Sequence, residues 1–243
     1  MNDVGEHYRR LLAPIYVWMV GGAEAALERN RELVRAADLA PRGSARALDL
    51  GAGFGATSIA LAERGWNVTA VDTSDELLAE FARLAGALPI RRERADLVEF
   101  AERARERFEL VVCLGDTLTH LPSRERVVAS FDAFARLVAP DGRLVLSFRD
   151  YVTKPLEGAE RFIPVRSDDR RVFTCFLEIQ GEHVIVHDVL YERGDDGWKL
   201  SVSDYPKLRL APDWVVAELV ARGFELEQRA FERGMLTLQL RRR

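Results

Sequence analysis

Ala47-Leu-Asp-Leu-Gly-Ala-Gly-Phe-Gly-Ala-Thr57, followed by Val68-Thr-Ala-Val-Asp72, decides the fold. The pattern predicts a buried strand, a glycine turn, a helix and a second buried strand that ends in an acid. Gly51, Gly53 and Gly55 remove side chains where a backbone turns sharply and approaches a ligand, and Asp72 can accept hydrogen bonds from two neighbouring ribose hydroxyls. The stretch is a nucleoside cradle. Gly51, Gly53 and Ala56 also satisfy G-x-G-x-x-G/A with an acid about twenty residues on, so the glycines alone leave a nicotinamide dinucleotide open as ligand.

Outward from the cradle, strand and helix alternate. Arg46 to Leu50, Asn67 to Asp72, Ile90 to Asp96, Phe108 to Leu114 and Gly142 to Phe148 read as strands, several apolar enough to be buried on both faces. Thr57 to Arg64, Asp75 to Ala87, Leu97 to Arg105 and Arg124 to Val138 read as helices, with Ser74 and Ser123 as N-caps and Pro140-Asp141-Gly142 as a stop. Asp213 to Ala221 reads as a last helix before strands Phe224 to Phe231 and Met235 to Leu240. The expected fold is α/β: a Rossmann-like, doubly wound, mostly parallel seven-stranded sheet in a single domain over 1–243. Residues 1–44, with a helix over Ala23 to Ala37, are expected to form an N-terminal helical cover. After the fifth strand the rhythm changes. Arg161 to Val165, Arg171 to Ile179, Val184 to Glu192 and Trp198 to Ser203 alternate as antiparallel strands, with hairpin loops at Gln180-Gly181-Glu182 and Gly194 to Gly197. This β-hairpin insertion, residues 159–210, is expected to form a lid.

Apolar residues are 48% and charged residues 30% of the chain, a globular balance, and the net charge of -4 supplies no attraction for phosphate backbones or anionic membranes. Neither nucleic acid nor a membrane is an expected partner. The apolar run from Leu11 to Ala26 is interrupted by Pro14, Gly21, Gly22 and Glu24, and no signal peptide is recognised. Cys113 and Cys175 sit in apolar strand-like runs and read as buried thiols, consistent with a cytoplasmic location. Residues four apart on a strand lie about 13 Å from each other, which argues against a metal held by His183 and His187, and no metal is expected.

The spacing of Asp49, the glycine loop and Asp72 resembles the class I S-adenosylmethionine-dependent methyltransferases, in which an acid stands two residues before the first glycine. Val111-Val-Cys-Leu-Gly-Asp-Thr-Leu-Thr-His-Leu-Pro122 and Leu144-Val-Leu-Ser-Phe-Arg-Asp-Tyr151 are similar to the fourth and fifth strand ends of the glycine N-methyltransferase branch. The resemblance covers roughly Leu48 to Tyr151. It implies S-adenosyl-L-methionine as cofactor, S-adenosyl-L-homocysteine as product, and methyl transfer to nitrogen or oxygen of a small polar molecule by in-line displacement. It further implies that Asp49, Gly51, Ala52, Gly53, Gly55, Asp72, Thr73, Asp96, Leu97, Leu114 and Gly115 hold the cofactor. An acidic side chain and the next backbone N–H at Asp96-Leu97 would meet the adenine.

The branch places asparagine where Asp116 stands. A carboxylate there repels a substrate carboxylate unless Arg149 neutralises it, and it attracts an amine or hydroxyl donor, so glycine is disfavoured as acceptor. His120, Asp116 and Arg149 are the expected catalytic residues, and Tyr16, Asp116, Arg149 and Tyr151 the expected substrate-binding ones. Tyr8, Tyr16, Trp18 and Met19 can fold over the cradle. The alternatives are an NAD(P)-dependent oxidoreductase, which leaves Asp49, Asp96 and the Cys-Leu-Gly-Asp segment unexplained, and a non-catalytic S-adenosylmethionine-binding protein. Acceptor identity and oligomeric state stay open.

Overall fold

The computed structural model describes residues 4–153, 156–232 and 234–243; residues 1–3 of the expected cover lie outside the described residues. Strands β1 (Arg46–Leu50), β2 (Asn67–Asp72), β3 (Arg91–Arg94), β4 (Phe108–Cys113), β5 (Val138–Arg149), β10 (Phe224–Glu232) and β11 (Met235–Arg242) form a seven-stranded sheet in the order β10-β11-β5-β4-β1-β2-β3. The strands from β5 to β3 run parallel, and β11 pairs antiparallel with both neighbours. The order reverses between β1 and β4, the crevice where an open α/β sheet takes a ligand.

Burial explains why the central strands are continuous apolar runs. Ala47, Leu48, Leu50, Leu110, Val111 and Val112 are fully buried because helices cover both faces of the sheet. On one face pack α6 (Leu97–Arg103), α7 (Arg124–Leu137) and α8 (Pro212–Ala221), through Phe100, Phe131, Phe134 and Leu219. On the other pack α3 (Ala23–Ala36), α4 (Ala56–Glu63) and α5 (Asp75–Ala85), through Leu27, Ile59 and Phe81. Each such fully buried large apolar side chain contributes about 1.5–3 kcal/mol of transfer free energy. The helix starts follow the expected chemistry: Ser74 Oγ accepts from the Leu77 N–H at 3.3 Å, and Ser123 Oγ from the Arg126 N–H at 3.4 Å.

Several boundaries differ from the sequence reading, most of all that of the strand read as Trp198 to Ser203, which runs on to Leu208. Of Ile90 to Asp96 only Arg91–Arg94 is strand, because β3 is an edge strand with one partner and its ends have nothing to pair with. Helix α7 stops at Leu137 and β5 begins at Val138, which pairs with Phe108, so Pro140-Asp141-Gly142 lies within an irregular start of β5, with Asp141 at φ 59.

A second sheet, β6 (Phe162–Ser167), β7 (Arg171–Gln180), β8 (His183–Gly194) and β9 (Gly197–Leu208), is antiparallel in sequential order. Its inner face carries Phe173, Leu177, Val184, Val186, Leu190 and Tyr205, packed on Leu11, Leu12 and Ile15 of the N-terminal segment in a third apolar core. That segment is helix α1 (Val4–His7), a π-helical stretch Tyr8–Leu12 and helix α2 (Ala13–Met19). Among the described residues no single helix is long and apolar enough to cross a membrane.

Candidate functional site

The carboxyl ends of β1, β2, β3 and β4 converge on a cavity of about 970 Å³. After β1 the chain reverses because the Gly51 and Ala52 N–H groups both donate to Val71 O, at 2.8 and 3.0 Å. Gly51 and Gly55 adopt φ 77 and φ 86. A Cβ at Gly51 would meet Thr117 at 2.4 Å and one at Gly55 would meet Phe81 at 2.1 Å, so only glycine fits either position. Gly53, at φ 56, points its N–H at Asp72 Oδ2, 2.7 Å away, while the Ser74 N–H donates to Oδ1 at 2.9 Å. These bonds fix the carboxylate and leave it lone pairs for a ligand's hydroxyls.

Burial governs the acids. Asp49 is 1% exposed and accepts from Ser58 Oγ at 2.6 Å; desolvation pushes its carboxyl up to about 7 against the opposing hydrogen bond. Asp72 is raised too, again chiefly by burial. Asp96 serves as the N-cap of α6, its Oδ1 accepting from Val98 N at 2.8 Å and Glu99 N at 3.1 Å, and it also lines the cavity. Gly115, at φ 73, donates its N–H to Ser147 Oγ at 2.9 Å, and a Cβ added there would have nothing within 4 Å. Glycine here keeps the cavity wall open.

Of the residues expected at the cofactor end, Asp49, Gly51, Ala52, Gly53, Asp72, Thr73, Asp96, Leu97, Leu114 and Gly115 line the cavity. Gly55 does not; it is the close-packing contact with Phe81. Tyr8, Tyr16 and His120 line the other end, with His183, Pro206 and Met235. Asp116, Arg149 and Tyr151 do not line it, contrary to expectation. Asp116 is 3% exposed and fully engaged: Lys207 Nζ donates to Oδ2 at 2.6 Å, and the Arg149 N–H and Thr119 Oγ1 donate to Oδ1 at 2.9 and 3.0 Å. Burial would raise its carboxyl, but the Lys207 charge, backed by the hydrogen bonds from the Arg149 N–H and Lys207, holds it down at about 2. Arg149 meets Asp116 through its backbone. Tyr151 is buried in the third core.

Lys207 is the buried partner of Asp116 that composition and motif concealed. Its signal was the alternation of β9, which places Ser201, Ser203, Tyr205 and Lys207 on the inner face, where a lysine needs a buried partner. Asp116, at φ 79 in the loop after β4, is that partner.

His120 ends a short 3₁₀ turn, Thr117–His120. Its ring stacks on Tyr205 at 5.6 Å between centroids, and Nε2 lies 3.5 Å from the Tyr8 hydroxyl. Nδ1 is buried without a partner among the described residues. Burial first, then the Lys207 charge, pull the imidazole down to about 3, so it is neutral throughout the physiological range. Such a ring can orient a nucleophile by hydrogen bonding and is a weak proton acceptor, because a base works best with a pKa near the working pH. Burial also raises the Tyr8 and Tyr16 phenols, which stay protonated.

Other features read from the sequence resolve as structure. Cys113 is buried, and Cys175, half-buried, donates its thiol to Asp188 Oδ1 at 2.8 Å. His187 faces Glu178 at 3.2 Å, and among the described residues no group of three or more potential ligands could hold a metal ion.

Residues 47–142 match a family described as a methyltransferase domain. The glycine/sarcosine N-methyltransferase of Aphanothece halophytica is 35% identical over 115 residues, 46% of this chain and 43% of that protein. The ubiquinone biosynthesis O-methyltransferase of Dechloromonas aromatica (strain RCB) is 36% identical over 104 residues, 42% of this chain and 43% of that one. The chain thus spans less than half the length of either. Among solved structures, an amino pentose methyltransferase from Micromonospora echinaspora superposes with a TM-score of 0.75 at 19% identity, covering 95% of this chain and 96% of its own. A sugar N-methyltransferase from Streptoalloteichus sp ATCC 53650 gives 0.73 at 21% identity, covering 100% and 96%. At these identities the likeness is one of fold, and it takes in the second sheet as well as the first.

Proposed function

We propose that the chain is a class I S-adenosylmethionine-dependent methyltransferase, as the methyltransferase-domain match over residues 47–142 supports, and that it transfers a methyl group from S-adenosyl-L-methionine to nitrogen or oxygen of a small polar molecule. One observation carries the reading: a single cavity runs from Asp49, Gly53, Asp72 and Asp96 to Tyr8, His120 and Pro206. Its first end fits the cofactor. Asp72 would hold the ribose hydroxyls, Asp96 and the Leu97 backbone N–H would hold the adenine, and the glycine loop beside Asp49 would hold the ammonium-bearing amino acid end. When bound, the cofactor supplies a methyl group already activated on a sulfonium. The protein's own task is then alignment and exclusion of water.

The second end offers no free carboxylate. Asp116 is spent on Lys207 and Asp188 on His7, whose Nε2 lies 2.9 Å from Asp188 Oδ2. A cationic ammonium has no counter-charge here, so the acceptor binds as the neutral amine or hydroxyl, the form that can attack. His120, uncharged and with Nδ1 unpartnered, orients that nucleophile; Tyr8 and Tyr16 close over it. Catalytic and substrate-binding roles pass to His120, Tyr8 and Tyr16, while Asp116, Arg149 and Tyr151 support the walls.

Calorimetric titration with S-adenosylmethionine and S-adenosylhomocysteine, with NAD(H) and NADP(H) as controls, tests the reading. Selective binding of the first two is expected, weakened at least tenfold in Asp72→Ala. His120→Ala should leave cofactor affinity within about twofold and lower turnover of amines and alcohols. Binding of the nicotinamides alone would overturn the proposal.

A further inference from the structure

The acceptor end of the cavity is walled by rings. Phe54 follows Gly53 in the glycine turn, and from it a run of neighbouring rings passes to Tyr16, Tyr8 and His120, with centroids 6.0, 6.1 and 5.7 Å apart in turn. All four line the cavity, and Tyr205 backs the last of them, stacked on His120 at 5.6 Å. The wall thus begins beside the glycine turn and ends among the residues given to the acceptor. No poised base stands with the rings. Among the described residues the titratable groups that line this end are Tyr8, Tyr16, His120 and His183, and Asp116 opens the turn that ends in His120. Asp116 is taken up by Lys207 Nζ at 2.6 Å, with the Arg149 N–H and Thr119 hydroxyl on its other oxygen. Burial and the Lys207 charge keep His120 neutral, and both phenols stay protonated. His183 takes the alternation on β8 opposite to Val186, whose partner on β9 is Tyr205, so it leaves the sheet on the other face from the ring that backs His120.

From the ring wall and the want of a base we infer that the acceptor is an amine rather than a hydroxyl compound, and that the methylated ammonium it becomes is held by the rings of Phe54, Tyr16, Tyr8 and His120 instead of by a carboxylate. The inference rests on the methyl-transfer reading and narrows it. The amine lone pair forms the new N–C bond as the S–C bond of the donor breaks; sulfur keeps that bond's electron pair, and the positive charge passes to nitrogen. Any proton on that nitrogen stays there until the product reaches water, so the site needs no group to receive it. A hydroxyl differs at this step. Its neutral oxygen is a poor nucleophile and reacts well only as a base draws its proton away. The rings meet the other requirement, a place for the charge. A π face attracts a cation within about 6 Å of its centre, more strongly once water is excluded, and methyl groups on nitrogen leave the cation little hydration to lose. The field has the right sign as well: the carboxylates of Asp72, Asp116 and Asp188 all act on the Tyr8 phenol, and the Lys207 charge is matched by Asp116.

Choline and 3,3-dimethyl-1-butanol share one shape, and only choline carries a charge. Calorimetric titration of each into the purified protein, alone and with S-adenosylhomocysteine present, tests the inference. Choline should bind about tenfold more tightly than its neutral isostere. Tyr8→Phe, which keeps the ring and removes the hydroxyl, should retain that preference. Tyr8→Leu and Tyr16→Leu, each with unchanged far-ultraviolet dichroism, should lose most of it. A wild type that does not prefer choline overturns the inference, and so does a preference that survives both leucine variants. Methyl transfer to matched acceptors gives a second readout: benzyl alcohol methylated as fast as benzylamine, or faster, also overturns it. Failure of the methyl-transfer reading looks different, because S-adenosylmethionine and S-adenosylhomocysteine would then not bind, whatever choline does.

Discussion

Asp49 shows how one residue couples the site to pH. Its neutral form is favoured in the folded chain up to about pH 7, whereas an unfolded aspartate ionises near the ordinary value of 3.8. The sign follows: the apo protein carries full stability from this group below the unfolded value and loses it as pH rises through about 7. An ammonium-bearing ligand reverses the preference, because it stabilises the carboxylate and expels the proton. Cofactor affinity should therefore tighten as pH rises from about 5.5 to 7, by up to tenfold per unit. Calorimetry in buffers of different ionisation enthalpy should report proton release. Asp49→Asn should bind more weakly and show a flat profile; a wild type with no proton release would contradict this account.

Between elements, the Asp116–Lys207 pair ties the loop after β4 to β9 and so fixes where the second sheet sits against the first. Removal of Lys207 leaves a carboxylate that is 3% exposed without its cation, at a cost of about 3–5 kcal/mol. Lys207→Met should lose that much in denaturant unfolding, and Asp116→Asn/Lys207→Met should recover a large part. The pair also predicts an acid limb. With the Asp116 carboxyl held at about 2 in the fold, its contribution is complete above the unfolded value and is lost as pH falls from about 4 through 2. Comparison of wild type and double variant between pH 2 and 5 isolates that limb; equal acid sensitivity would show that the stability resides elsewhere.

Across the whole molecule, a buried polar chain holds the N-terminal segment to the second sheet. His7 Nδ1 lies 2.7 Å from Ser203 Oγ, its Nε2 2.9 Å from Asp188 Oδ2, and its ring 4.1 Å from that of Tyr205, which in turn stacks on His120. The cover, the sheet and the acceptor end of the cavity thus share one set of contacts. His7→Leu leaves the buried Asp188 Oδ2 without its partner, the Cys175 thiol still donating to Oδ1, at a cost of about 1–3 kcal/mol. Hydrogen exchange should then accelerate in residues 4–19 and in β8 and β9 while β1, β4 and β5 stay protected. Uniform acceleration over both sheets would instead mean that His7 supports the entire fold.

What could be read along the chain was the end of the cavity proposed for the cofactor, because a doubly wound sheet gathers its loops at strand termini, each marked by a short local pattern. Asp49, the glycine turn, Asp72, Asp96 and Gly115 needed only neighbours within a few residues to be found. The acceptor end could not be read this way. Asp116 reaches Lys207 across 91 positions and His7 reaches Asp188 across 181, and no local pattern records which buried charge will neutralise which. For the same reason Asp116, Arg149 and Tyr151 stood out in sequence as binding residues, although folding turns Asp116 toward Lys207 and buries Tyr151 in a separate core. The strand read as Trp198 to Ser203 runs on to Leu208, so its alternation turns Lys207 inward, and the packing of two sheets supplies what it points at.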